Sequence, residues 1–180
     1  MRIVHTSPAT AAASLAEAKG HARVDGDDED TGLSTMLLAA TYEFEGQAQI
    51  ALLERTVKLR LDGWPDDGRI WLPVGPVLED ATATVTADGA AVTGFSLLPG
   101  RYGEIALDTD VTAELAAAVI EIEYPAGFGA AASDIPADIR HAILDQVAAL
   151  FDNRGGYTAK DYPVSHAMLR IAAKHRGARV

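Results

Sequence analysis

Three side chains in the last third of the sequence have the types and the spacing of a metal site. Asp138, His141 and Asp145 follow one another at intervals of three and four residues, which places side chains on one face of a helix. Two carboxylates and one imidazole are a known ligand set for divalent metals. A solvated or subunit-facing polar stripe explains the same residues, because no second helix offers obvious further ligands. We expect the stripe and no metal site.

A glycine-rich segment, GFGAAA at 127–132, is the second candidate for chemistry. It has the loose form G-x-G-x-x-A between a strand pattern and a helix pattern, which is the context of a dinucleotide-binding fingerprint. The helical pattern begins only after Asp134, however, and the strands before the segment have an antiparallel pattern. No second parallel strand supplies an acid for a ribose. We therefore interpret the segment as a glycine-rich connection.

The acidic run DGDDEDTG, which begins at Asp25, invites comparison with a calcium-binding loop. An EF-hand loop needs glycine at its sixth position and glutamate at its twelfth, and those positions hold Asp30 and Met36. A solvated turn is the better interpretation, because carboxylates in a first turn complement the helix dipole.

The remaining motif search favours a protein without catalysis. The sequence has no cysteine, no G-x-S-x-G, no G-x-x-x-x-G-K-[ST] and no H-E-x-x-H. We predict no enzymatic activity, no cofactor and no metal. The alternative is a nucleotide- or metal-dependent enzyme that uses Gly127 and Gly129, or His141 and Asp145. A small binding module with a β domain is a third hypothesis.

The C-terminal segment reverses the charge of the chain. From Tyr162 to Val180 there are four cations and no acid. The whole chain carries −11, so residues 1–161 carry −15 once these four positive charges are set apart. Weak nucleic-acid contact or a solvated, disordered end would explain the segment. We favour an amphipathic helix that docks into a partner.

Helical patterns occupy both ends of the chain. The pair Ser14 and Glu17 has capping-box spacing and predicts a short helix to about Ala22. A second and a third helix are predicted from apolar stripes at Leu33, Leu37, Ala40, Phe44 and Ala48, and at Ile139, Ile143, Val147, Leu150 and Phe151. The run SHAMLRIAAKH predicts a last helix with Met168 and Ile171 on one face.

Between the helices, residues 54–125 have β patterns. TVKLRLD and VIEIEY alternate, RIWLP is predicted to return against TVKLRLD, and Asp88-Gly89 marks a hairpin. The predicted fold class is α+β: a small bundle of about four helices with an inserted antiparallel β domain. The predicted domains are N-terminal helices (1–53), the β insertion (54–131), the third helix (132–156), and a linker with the basic helix (157–180).

Composition limits the class of protein and its surroundings. The chain has 180 residues, of which 48% are hydrophobic, enough for one core. No apolar run is long enough to span a bilayer, no signal-peptide pattern occurs, and the absence of cysteine fits a reducing compartment, so we expect a cytoplasmic origin. The acidity argues against wrapping of DNA by charge attraction, while DNA could still pass an acidic wall.

Three stretches together resemble the head–tail connector, or adaptor, proteins of long-tailed bacteriophages and gene transfer agents. They are SLAEAKGHARVDGDDED (14–30), RTVKLRLDGWPDDGRIWLPVGPVLEDATATVTADG (55–89) and IEYPAGFGAAASDIPADIRHAILDQVAALFDNRGG (122–156). The second resembles the family's strand, W/F-P turn, LP-x-x-PV segment and Asp-Gly hairpin, and the third its Tyr-x-Ala-Gly-aromatic-Gly run and IPADIRHAI helix start.

The resemblance implies a structural virion protein of the particle neck, made in a bacterial cytoplasm. Such subunits form a ring, usually a dodecamer, below the portal, extend the DNA channel without reading its sequence, and give a stopper or tail-terminator protein a surface. No membrane is involved. The family's C-terminal segment engages the portal. Carried over to this chain, the implied portal-binding residues are Leu169, Arg170, Ile171, Lys174, Arg176 and Arg179.

Overall fold

The computed structural model describes residues 2–5, 11–154 and 164–176, with side chains from residue 11 onward. Its helices are α1 (Leu15–Ala22), α2 (Asp30–Ala48), α3 (Ala113–Ala117), α4 (Ala137–Asp152) and α5 (His166–His175). Its strands are β1 (Arg2–His5), β2 (Arg55–Asp62), β3 (Arg69–Trp71), β4 (Thr84–Ala87), β5 (Ala90–Ala91), β6 (Phe95–Leu98), β7 (Glu104–Leu107) and β8 (Val119–Ala126). The predicted α+β class is confirmed, with antiparallel strands placed along the chain between the helices.

The chain divides into two compact units. Within the described residues, the β unit contains 2–5 and 54–128, and the helical unit contains 11–53, 129–154 and 164–176. The domain bounds predicted from the sequence stay a prediction. One difference is plain, because residues 2–5 form a strand of the β unit, whereas the sequence analysis placed 1–53 among the N-terminal helices.

The helical unit is built from α1, α2, α4 and α5. The Ser14 hydroxyl accepts the Glu17 N–H at 3.2 Å, and the Glu17 carboxylate accepts the Ser14 N–H at 2.8 Å, so the predicted capping box is present. These bonds from Ser14, chiefly the one from its backbone, lower the pKa of Glu17. The box therefore stabilises the start of α1 most when Glu17 is ionised.

The predicted apolar stripes form the core of this unit. The five stripe residues of α2 are all buried. On α4 the stripe residues Ile139, Ile143, Val147 and Leu150 are buried, while Phe151 is half-buried at the helix end. Pro136 immediately precedes α4, where its missing N–H removes no helical hydrogen bond.

In the β unit, the larger sheet has the strand order β1-β2-β8-β4-β5 and is antiparallel throughout. β8 pairs with β2 along its whole length, from Arg55 opposite Ala126 to Asp62 opposite Val119. Alternation decides which side chains enter the core. The buried members of these two strands include Val57, Leu59, Ile120, Ile122 and Tyr124.

The smaller sheet has the order β3-β7-β6. The prediction that RIWLP returns against TVKLRLD is wrong, since β3 pairs with β7 instead. The reason is that β2 already has β1 on one side and β8 on the other, so it offers no free edge to a hairpin partner. The Asp-Gly hairpin is confirmed: Asp88 and Gly89 have φ of 48° and 83°, as a type I′ turn requires.

Candidate assembly surface on the C-terminal helix

The start of α5 is held by side chains of α4. The Ser165 backbone N–H donates to the Oε1 of Gln146 at 2.7 Å, and Gln146 is fully buried. The Ser165 hydroxyl donates to the Asp145 carboxylate and accepts the Met168 N–H at 3.3 Å. Ser165 is thus both the N-cap of α5 and its attachment to α4.

The other end of α5 is held by Asp138. The Nζ of Lys174 lies 2.8 Å and the Nε2 of His175 lies 3.3 Å from Asp138 Oδ2. The hydrogen bond from Lys174 lowers the pKa of Asp138, and partial burial of the carboxyl opposes that shift. Asp138 precedes Asp145 on α4 while Lys174 follows Ser165, so α4 and α5 run antiparallel.

The six residues that the resemblance implied for portal binding differ in their surroundings. Met168, Ile171 and Ala172 are buried on the inner side of α5, so Ile171 belongs to the fold. Leu169 is 44% exposed, and Arg170 and Arg176 are also exposed. Lys174 is engaged with Asp138, and Arg179 lies outside the described residues. The outer surface of α5, defined by Leu169, Arg170 and Arg176, is the candidate assembly surface.

The possible metal ligands of the third predicted helix face different partners. Asp138 faces the end of α5, whereas Asp145 faces Ser165 and lies 3.8 Å from the Nε2 of His21. The His141 ring stacks edge-on against His21 with centroids 5.5 Å apart. Across the part of the chain that the structure describes, no group of three or more potential ligands is arranged to hold a metal ion.

The glycine-rich connection already contains its own anion. A Cβ atom on Gly129 would lie 2.4 Å from Asp134 Oδ2, and that same oxygen accepts the Ala131 N–H at 3.0 Å. Gly127 donates its N–H to the Pro76 carbonyl at 2.9 Å. A phosphate would have to displace the Asp134 carboxylate and would be repelled by it. The geometry therefore favours a structural connection over a nucleotide site.

Two carboxylates of the acidic turn before α2 are paired with a cation of the chain itself. Lys19 Nζ lies 2.8 Å from Asp27 Oδ1 and 2.7 Å from Asp30 Oδ1. The hydrogen bond to Asp27 raises the pKa of Lys19 and lowers that of Asp27. The turn thus joins α1 to the start of α2. Separately, none of the helices within the described ranges is long and apolar enough to cross a membrane.

Comparison with known proteins gives matches among solved structures. No family model matches the sequence, and no curated protein matches it. A chain from the neck of an empty gene transfer agent (GTA) particle, computed with C6 symmetry, is 28% identical with a TM-score of 0.80; the alignment covers 100% of this chain and 97% of that one. A chain from the virion of a native gene transfer agent particle, with the same coverage, is 26% identical with a TM-score of 0.79.

A third match is a chain from the neck of a native GTA particle computed with C12 symmetry. It is 25% identical with a TM-score of 0.74, and the coverage is again 100% and 97%. The resemblance to phage and gene transfer agent neck or connector proteins is confirmed. The expected location in a virion neck agrees with all three structures, and the two symmetries support an oligomeric ring for this neck-type chain.

Two features of this neck-type chain were not found by sequence reasoning. One is the double attachment of α5 by Asp138 at one end and by Asp145 and Gln146 at the other. The 3.6-residue period of α4 puts Asp138 and Asp145 on one side, but only the packing shows what they hold. The other is an exposed apolar face on the smaller sheet, whose strands are too short for alternation to reveal which side is open.

Proposed function

We propose that the chain is a head–tail connector subunit that forms a ring below the portal of a tailed phage or gene transfer agent. The ring, which we expect to be a dodecamer, extends the DNA channel and joins head to tail. The observation that carries the proposal is likeness along the entire chain to proteins of particle necks, with TM-scores up to 0.80. Neck reconstructions with C6 and C12 symmetry support a ring.

The charge of the chain suits passage of DNA without binding. A net charge of −11 repels phosphate, so a genome would pass such a wall without adhering to it or having its sequence read. The residues considered for a metal or nucleotide site have structural contacts instead. Asp138 holds α5, and the carboxylate of Asp134 occupies the glycine-rich loop. These contacts favour a purely structural role over a nucleotide- or metal-dependent enzyme.

The outer surface of α5 is the part that we assign to portal binding. Leu169 gives an apolar contact, and Arg170 and Arg176 give two cations on an acidic protein. Arg179, which lies outside the described residues, stays part of the expected portal-binding set. Ile171 and Lys174 serve it indirectly, because they fasten the helix through the core and through Asp138. A stopper or tail-terminator protein would bind elsewhere on the ring.

Portal binding by charge-reversed variants tests this assignment. Removal of residues from 163 onward would also remove the buried Met168 and Ile171, so loss of binding by that truncation would be ambiguous. The double variant R170E/R176E leaves the core intact and should weaken binding to the portal protein encoded in the same genome by at least about tenfold.

The control is Arg23→Glu, an exposed cation in the same unit that lies outside α5. It should bind the portal as the unmodified chain does. Equal binding by R170E/R176E would overturn the assignment of α5. Failure of the unmodified chain to bind the portal, or its absence from purified particles, would overturn the connector function itself.

A further inference from the structure

The solvent side of α2 carries no charged residue. We call this side the outer face of α2; its members, all exposed, are Gly32, Thr35, Ala39, Tyr42 and Gly46. Tyr42 lies in this row with 43% of its side chain exposed. The solvent side of a surface helix ordinarily carries charged and polar residues. An uncharged side is therefore unexpected in a chain of which 23% of the residues are charged.

The charged residues of α2 are all used inside the helical unit. Asp30 Oδ1 lies 2.7 Å from the Nζ of Lys19. Glu45 is buried, and its Oε1 accepts the Leu52 N–H at 2.8 Å. Glu43 is half-buried, and this burial raises the pKa of its carboxyl. None of the three acids belongs to the outer face, so its lack of charge follows from where α2 places its carboxylates.

The spacing of the outer face is that of a contact between two helices. Its members follow one another at intervals of three, four, three and four residues, which is the repeat with which one helix presents a seam to another. Gly32, Ala39 and Gly46 form one row of this seam, seven residues apart. Small side chains in such a row shorten the distance at which a second helix can pack.

Gly46 has no role within the described part of the subunit that would require a glycine. Glycine in the interior of a helix is less stable than alanine, and a Cβ atom at Gly46 would meet no described atom within 4 Å. The Thr35 hydroxyl donates to the Thr31 carbonyl at 2.9 Å, so it needs no hydrogen bond from a partner. The outer face is thus suited to a close, apolar contact with a surface outside the subunit.

The absence of charge favours another copy of the chain as the occupant. A partner selected by charge would need charged residues on the outer face, and the face has none. Copies that each carry −11 repel one another, so they should meet where neither presents a charge. We propose that the outer face of α2 packs against a helix of the neighbouring copy in the ring. This inference rests on the proposed function.

The size of the outer face indicates when this contact forms. The 14 residues from Gly32 to Gly46 span about 21 Å of helix, which at a helix width of about 10 Å gives roughly 200 Å². A stable complex buries about 800 Å² on each partner. The contact should therefore form between copies that the portal already holds side by side, and the experiment uses the portal-bound chain.

Photo-cross-linking from the edge of the outer face tests the contact, because the chain has no cysteine of its own. Thr31 is exposed at this edge, so the full-length variant T31C, labelled with benzophenone maleimide, keeps all five members of the face. Bound to the portal at saturating concentration and irradiated, it should give a ladder of species larger than a dimer of the chain.

Mass spectrometry of the cross-linked peptides identifies the occupant. They should come from the helical unit of a second copy, outside α2. Attachment only to α2 would mean that the face pairs with itself, which closes a dimer and not a ring. Attachment only to the portal would mean that the portal covers the face. Either result overturns the inference.

The same substitution at two exposed alanines supplies a matched pair. Ala39→Glu places a carboxylate in the middle of the outer face, and Ala91→Glu places one on the exposed strand β5. In the labelled T31C chain, Ala39→Glu should lower the yield of the ladder at least about tenfold, while Ala91→Glu should leave it unchanged. Equal yields from the two variants would overturn the inference.

Portal binding by the same preparations separates this inference from the connector function. If the labelled T31C chain binds the portal but gives no ladder, the lateral contact is wrong and the connector function survives. If that chain does not bind the portal, the connector function is overturned, and the inference falls with it.

Discussion

The helix α5 of the helical unit and the smaller sheet of the β unit differ in how their side chains are held and covered. In the helical unit, Met168 and Ile171 are buried, and α5 is fastened by polar contacts at both ends. In the β unit, the smaller sheet buries Ile70 and Ile105 on one side and leaves Trp71 and Leu98 open on the other. The difference shows that α5 is fixed as part of the fold by polar contacts, whereas the open side of the smaller sheet leaves large apolar side chains exposed.

Replacement of Met168 by alanine should have the largest effect on stability, and it tests the packing of the helical unit. Met168 is fully buried, so Met168→Ala should lower the free energy of unfolding by about 2–5 kcal/mol, since it leaves a cavity in the core. Urea denaturation followed by circular dichroism measures this change. The adjacent variant Leu169→Ala, on the exposed side, should stay within about 0.5 kcal/mol of the unmodified chain. Similar losses for both would contradict the inner and outer sides assigned to α5.

Two glycine-to-alanine variants, one in each unit, should change stability in opposite directions. A Cβ atom on Gly103 would lie 2.7 Å from Val77 Cγ2 and 3.0 Å from Leu72 Cδ1, so Gly103→Ala should destabilise by about 1–3 kcal/mol through overpacking. Gly46 lies inside α2 with nothing within 4 Å of that position. Gly46→Ala should therefore stabilise by about 0.5–1 kcal/mol. Thermal unfolding of both variants checks the signs, and a gain from Gly103→Ala would refute the close packing of the smaller sheet.

The Asp138 anchor should give a small effect that depends on pH. The pKa of Asp138 is lowered in the folded state by Lys174, so its stabilisation is fully present above the unfolded-state value of about 3.9 and is lost as the pH falls through the lower folded value. Asp138→Asn should cost about 0.2–1 kcal/mol near neutral pH. The difference from the unmodified chain should disappear in acid.

Unfolding free energies measured between neutral pH and pH 2 test this dependence. Asp25→Asn serves as the control, because Asp25 is an exposed carboxylate on the turn before α2, outside α4 and α5. A deficit of Asp138→Asn that stays constant down to the lowest pH would show that the carboxylate charge does not hold α5.

The smallest expected change in stability is at the most exposed aromatic residue. Trp71→Ala should leave the free energy of unfolding within about 0.5 kcal/mol, because the side chain is 61% exposed. Its strand neighbour Ile70 is 2% exposed, and Ile70→Ala should lose about 2–5 kcal/mol. Urea titration of the pair is the measurement. A loss for Trp71→Ala as large as that for Ile70→Ala would assign Trp71 to the fold.

Periodicity predicted the helical unit well because long amphipathic helices repeat their signal. The stripe on α2 runs from Leu33 to Ala48 over several turns, and the capping box at Ser14 gives α1 a definite start. The strands β2 and β8 were equally clear, since eight residues allow the alternation to repeat.

Pairing in the β unit could not be predicted in the same way. β3 has three residues and β5 has two, so alternation has no length in which to show a face. The partner of β3 depends on which edges are already taken, and β1 takes one of them from a segment far away in sequence. The candidate assembly surface was likewise only partly predictable. The amphipathic pattern located α5, but only the packing showed that Ile171 and Lys174 hold the helix in place.

The path of the chain joins the two units by more than one covalent connection. Within residues 11–154, the polypeptide passes from one unit to the other at 53/54 and again at 128/129. A single cut of the backbone at either of these junctions therefore breaks one covalent connection between the units and leaves the other intact. A chain of this kind would keep both units covalently attached after one such cut, whereas a domain joined by a single linker would be released.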